Sequence, residues 1–179
     1  MATLPRDKVR AFLKKHQIAF IDSYLATNER QCASFARRAG FPAVLEAVAA
    51  GLAGTTTVRQ EAEATASFLR FRQAAKEAKV RLAGVAVRRQ LDGRQAACGT
   101  FWSPQFGPTV YVTGVRKVGR LAPISAEEAN SMITEAGAAA GLAGLLLTLS
   151  ALAVKQPKLS LALEVVLTPH PVAVSFRAT

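Results

Sequence analysis

Apolar and polar positions follow a helical period through the first part of the chain and a shorter one through the second. Over residues 6–26, Val9, Phe12, Leu13, Ile18, Phe20 and Leu25 are set among Lys8, Arg10, Lys14 and Lys15, which predicts an amphipathic helix with one apolar stripe and one basic face. A second helix is predicted over residues 29–38, stopped by Gly40 ahead of Phe41 and Pro42. Pro42 suits the first turn of a third helix, residues 43–54. Thr55, Thr56 and Thr57 interrupt the pattern, because a β-branched run lowers helix propensity. Residues 58–79 predict a further helix, with Glu61 and Glu63 early and Lys76 and Lys79 late, as the helix dipole favours.

The period then shortens. Leu82, Val85 and Val87 mark a strand within residues 80–91, Asp92-Gly93 is the strongest hairpin signal in the chain, and residues 95–102 supply the returning strand. Residues 109–118, rich in β-branched and aromatic side chains, predict a third strand. Two more are predicted over residues 159–167 and 172–176, on either side of Thr168-Pro169-His170-Pro171. Between these groups Ser125 and Glu128 fit a capping box opening a helix over residues 126–154, about 43 Å long at 1.5 Å per residue. The expected fold is α+β: N-terminal helices followed by a βββ-α-ββ antiparallel sheet with one long apolar helix. Two regions are expected, a basic helical one (residues 1–79) and an α+β one (residues 80–179).

Residues 136–154 carry no charge, which leaves a membrane span or a buried central helix. Gly137, Gly141 and Gly144 would form a small-residue seam for close helix packing in either case. Against a span, the large aliphatics of the segment are six leucines and one valine, giving only about −2 to −4 kcal/mol of insertion free energy. A span would also separate the last two strands from the first three, and an isolated hairpin is barely stable. The buried helix is the preferred reading.

Composition alters this picture in two ways. The net charge is +11, and residues 1–120 hold 20 Lys and Arg against 8 Asp and Glu, so an anionic partner is expected at the front of the chain. The first forty residues, rich in Arg, Lys and Ala, also bear a loose likeness to an organellar address, although they include Asp7, Asp22 and Glu29. Two cysteines, Cys32 and Cys98, cannot build a disulfide framework and are read as small buried hydrophobes.

Local motifs of catalysis are absent from the sequence. Gly51–Thr57 ends like a phosphate-binding loop, but Gly54 stands where a P-loop requires lysine. His16, His170, Cys32 and Cys98 are scattered, with no metal-ligand spacing. No catalytic residue, cofactor or metal is therefore expected. Arg81, Arg88, Arg89 and Arg94, with Trp102 and the nearby Phe101 and Tyr111, form the candidate partner-binding surface, since arginines meeting phosphates beside stacking aromatics are what an RNA surface needs. The leading expectation is a non-enzymatic structural or accessory subunit of a larger complex. It would be mitochondrial, on the matrix side or the inner membrane, and otherwise cytoplasmic, with other protein subunits as partners and membrane contact through residues 136–154 as an option. The alternative is an RNA-binding accessory protein of a ribosome-like particle; a small-molecule enzyme or carrier built around the sheet ranks third.

Overall fold

The computed structural model describes residues 6–168 and 170–178. The address-like N-terminus thus lies partly outside the described residues, as does Pro169 of the last turn. In chain order the elements are α1 (Arg6–Lys15), β1 (Ser23–Ala26), α2 (Glu29–Ala39), β2 (Ala43–Ala49), β3 (Thr55–Val58), α3 (Glu61–Glu77) and β4 (Leu82–Arg89). They continue as β5 (Arg94–Ser103), β6 (Gly107–Thr113), β7 (Lys117–Leu121), α4 (Ala126–Ala136), α5 (Ala143–Lys155), β8 (Leu161–Leu167) and β9 (Pro171–Ala178). The chain forms two compact units, Ile21–Gln90 and Met1–Phe20 with Leu91–Thr179. Neither boundary falls at residue 80, and the front of the chain is not purely helical.

The unit Ile21–Gln90 is an antiparallel sheet in the order β1-β4-β2-β3. Helices α2 and α3 cover it through Cys32, Ala36, Ala64 and Phe68, which pack with Leu45, Val58, Val85 and Val87 of the strands. Asn28 starts α2 as expected of a cap, its side chain accepting from the Gln31 N–H at 2.9 Å. The helix predicted over residues 43–54 is instead β2. Ala43, Val44, Leu45 and Ala47 are all buried, and a short apolar run buried on both sides has no period that separates helix from strand. Pairing with β3 and β4 decides it. The predicted helix over residues 6–26 likewise stops at Lys15, where Gln17 adopts φ 55° and the Ile18 N–H turns back to the Leu13 carbonyl at 2.9 Å. Residues 23–26 then join β4 as β1.

The second unit holds an antiparallel sheet in the order β7-β6-β5-β8-β9. The proposed β4–β5 hairpin does not form: β4 pairs with β1 and β2, and β5 with β6 and β8. Asp92-Gly93 is a link between units. Its glycine is needed for a different reason from turn geometry, because at φ 153° a Cβ there would run into the Leu167 carbonyl of β8. The strand predicted over residues 109–118 is two strands, β6 and β7, folded at residues 114–116.

The long apolar helix is also not one helix. Ser125 opens α4 with a complete capping box, its hydroxyl accepting from the Glu128 N–H while Glu128 accepts from the Ser125 N–H. Gly137 ends α4 in the left-handed region at φ 62°, and Gly141 turns the loop again at φ 97° before α5 begins. Among the described residues no helix is long and apolar enough to cross a membrane. The break lets Leu142, Leu146 and Leu149, all fully buried, pack with Met132 of α4 and with Cys98, Val110, Val112, Leu161 and Leu163 of the sheet. Each such leucine contributes about 1.5–3 kcal/mol of burial. The one polar group of α5 in this layer, Ser150, accepts from the Ile124 N–H at 2.9 Å, so the polar atom enters the core satisfied.

Two outcomes follow for stability. Leu146→Ala is expected to lower unfolding free energy by about 2–5 kcal/mol in urea titration, the cost of an internal cavity. Gly93→Val is expected to destabilise the protein by more than about 1 kcal/mol, read the same way, because Leu167 must move to admit the side chain.

Candidate active site

Helices α4 and α5 lie on one face of the five-stranded sheet, so alternation sends every second residue of β5, β6, β7 and β8 to the other face. The registers align these outward residues in rows. One row runs Gly119, Tyr111, Gly99, Ala162 from β7 to β8; beside it run Lys117, Thr113, Ala97, Glu164; and on the other side run Leu121, Thr109, Phe101. The middle row is almost without side chains except Tyr111. Between that ring and Phe101 the sheet therefore carries a cavity of about 310 Å³, lined by Thr100, Phe101, Tyr111, Lys117, Ser160, Leu161 and Ala162. Gly99 at its floor is a steric requirement, since a Cβ would collide with the Leu161 carbonyl and stand 2.9 Å from the Tyr111 ring.

The two rings meet tilted at 48°, with centroids 6.1 Å apart. The Lys117 ammonium lies 4.2 Å from the Tyr111 centroid and 5.4 Å from that of Phe101, so the cation rests against both π-faces. Thr100 is buried and donates to the Leu159 carbonyl at 3.2 Å, fixing the start of β8 where Ser160 enters the cavity. Burial holds the Tyr111 phenol above its ordinary value, with a smaller push from Cys98, so at neutral pH it remains a donor. The site thus offers two aromatic faces, one ammonium and the hydroxyls of Tyr111 and Ser160, the buried Thr100 hydroxyl being spent on Leu159.

Lys117 is positioned from below. The turn at residues 114–116 sits on the end of α4: the Arg116 N–H donates to the Ala136 carbonyl at 3.2 Å, and the Arg116 guanidinium donates to the Glu135 carbonyl. Arg120 of β7 pairs with the Glu135 carboxylate at 2.7 Å. The Ser131 hydroxyl, first, and Arg120 hold that carboxyl below the usual range, outweighing its desolvation.

The residues predicted from sequence fall differently. Arg81, Arg88 and Arg89 belong to the unit Ile21–Gln90, Arg88 and Arg89 on β4, while Arg94 and Trp102 stand at opposite ends of β5. The basic hairpin that was to unite them does not exist. Phe101 and Tyr111, named only as their neighbours, are the aromatics that do converge. The glycine seam is dispersed as well: Gly137 caps α4, Gly141 lies in the loop, and Gly144 on α5 has open space where a Cβ would stand. Lys117 and Ser160 were missed. The signal for Lys117 was Gly114, read as strand interior rather than as the turn that folds β7 back beside Tyr111.

The ATP-grasp domain family model matches residues 1–163, and the chain belongs to that family. Among solved structures, the fold resembles the dinucleotide-forming acetyl-coenzyme A synthetase 1 of Ca. Korarchaeum cryptofilum, at TM-score 0.83 and 23% identity over 98% of this chain and 92% of that one. A protein of Pyrococcus horikoshii is similar at TM-score 0.80 and 20% identity over 98% and 90%. The RimK domain ATP-grasp protein of Sphaerobacter thermophilus is more distant, at TM-score 0.58 and 17% identity over 96% and 57%. A search of curated proteins gave no match. Membership of the ATP-grasp family overturns the expectation of a non-enzymatic structural or accessory subunit, the ribosome-type form included. Residues 136–154, offered for membrane contact, are the end of α4, a loop and the largely buried α5.

ATP chemistry ordinarily involves magnesium held by oxygen ligands, one or two of them carboxylates. The lining of this cavity supplies no such ligand. No carboxylate lines the cavity, and among the described residues no group of three His, Cys, Asp or Glu could hold a metal.

Both cysteines lie outside the site, in the two cores, and burial pushes the Cys98 thiol up to about 12 and that of Cys32 to about 11. Alkylation at pH 8 is expected to leave both unmodified in the folded protein and to label both in guanidinium, as mass spectrometry will count.

Proposed function

We propose that the protein is an ATP-dependent ligase domain that binds its nucleotide against the open face of the five-stranded sheet. The match to the ATP-grasp family over residues 1–163 carries this reading. The likeness to an acetyl-coenzyme A synthetase supports acyl transfer to a thiol such as coenzyme A as the reaction class. Tyr111 and Phe101 give a purine base flat apolar surfaces, and base–aromatic stacking is worth about 1–3 kcal/mol. Lys117 presents its charge to a phosphate, with the Ser160 and Tyr111 hydroxyls as further donors. The cavity volume is at the small end of ligand pockets, about 300–1,000 Å³, enough for part of a nucleotide.

The test is calorimetric titration of the whole chain with ATP, alongside an assay for ATP consumption dependent on an acyl donor and coenzyme A. Tyr111→Ala is expected to weaken ATP binding about tenfold, the loss of roughly 1.4 kcal/mol of stacking. Unchanged affinity in that variant would remove the site from the proposal, and absence of ATP binding by the unaltered protein would remove the function.

A further inference from the structure

We infer that Lys117 is a displaceable plug through which the site selects phosphorylated nucleotides over bare nucleosides. Its ammonium occupies the aromatic faces in the free protein and gives them up to the base when the ligand brings a phosphate to receive it. This deepens the nucleotide reading above and rests on it. The observation is that one place has two claimants. The ammonium stands 4.2 Å from the Tyr111 centroid and 5.4 Å from that of Phe101, against two rings tilted at 48° with centroids 6.1 Å apart, and Lys117 lines the same cavity as both. A base stacked on these rings needs contact at about 3.5–4.0 Å between carbons. Base and ammonium cannot hold those faces together.

The plug is built to move. Lys117 is exposed on the edge strand β7 and makes no ion pair among the described residues, so the rings are the seat of its charge. Gly119, which faces Tyr111 in register, has no side chain to stand between the lysine and the ring. The backbone beside it is held, since the Arg116 N–H donates to the Ala136 carbonyl, so the flexible stem swings while the strand stays. Displacing the ammonium costs every ligand that uses the rings the same cation–π attraction. A ligand with a phosphate recovers that cost by pairing with the freed ammonium, whereas an uncharged nucleoside has nothing to offer in exchange. Selection then comes from a cost laid on the wrong ligand as well as a contact made to the right one.

The experiment titrates the whole chain by calorimetry with adenosine and with ATP, in excess magnesium throughout, for the unaltered protein and for Lys117→Ala. With the plug gone, adenosine is expected to bind about fivefold more tightly. ATP gains the same release but loses about tenfold with the missing phosphate contact, so its affinity is expected to fall about twofold. A second readout needs no variant. The Lys117 ε-methylene protons, shielded by the two rings in the free protein, are expected to move downfield when either ligand binds, as NMR of lysine-labelled protein will show. Thermal melts check that Lys117→Ala folds. Adenosine affinity that does not rise in the variant, or a Lys117 resonance still shielded in the ATP complex, overturns the inference and leaves the nucleotide reading intact. ATP affinity rising in step with that of adenosine overturns it as well, because the ammonium then meets no phosphate. Failure of the unaltered protein to bind ATP overturns the nucleotide reading and this inference with it.

Discussion

The second unit depends on burial of its sheet from one side only. Leu142, Leu146 and Leu149 press on an inner row containing Cys98, Val110, Val112 and Leu163. Side chains alternate along a strand, so the residues that satisfy the core also decide which ones face outward. A slip of one residue in β6 would bury Tyr111 and expose Val110 and Val112, and the leucine layer forbids it. The open face is thus specified by the closed one.

What makes that open face a candidate site is economy of side chain. Gly99, Gly119, Ala97 and Ala162 leave Tyr111 and Phe101 standing above a low floor, and Lys117 leans across from β7. Gly99 serves two ends at once, admitting the close approach of β8 and opening the space beside the ring. The same logic separates this site from phosphate loops built on a run of glycines. Here the chemistry is spread over four strands, with no contiguous motif.

That distribution explains why parts of the molecule were legible in sequence and the function was not. Gly40 marked the end of α2, the charges at either end of residues 58–79 announced α3, and Ser125 with Glu128 located the start of α4. The strands of residues 82–89 and 161–167 followed from their β-like apolar runs, whereas that of residues 94–103 was placed as the return of a hairpin that does not form. β2 was hidden because Ala43 to Ala47 is buried too evenly to show a period. The α4–α5 break was hidden because Gly137 and Gly141 look like packing glycines until their positive φ values are known. A search for contiguous motifs set aside a P-loop at residues 51–57, which excludes one way of holding a phosphate and not the others. Tyr111, Phe101 and Lys117 meet only once the turn at residues 114–116 is in place.

That turn ties two kinds of order together. The last carbonyls of a helix need partners from outside it, and at α4 the Ala136 and Glu135 carbonyls find theirs in Arg116. The residue next in sequence is Lys117, on a strand at the edge of the sheet. Fraying of one helical turn on the covered side therefore loosens the charged group on the open side, although no leucine of the core need move. On the proposed reading, an anion that steadies the lysine would also hold the end of α4 closed, so that ligand affinity and local opening of the helix would draw on a single equilibrium.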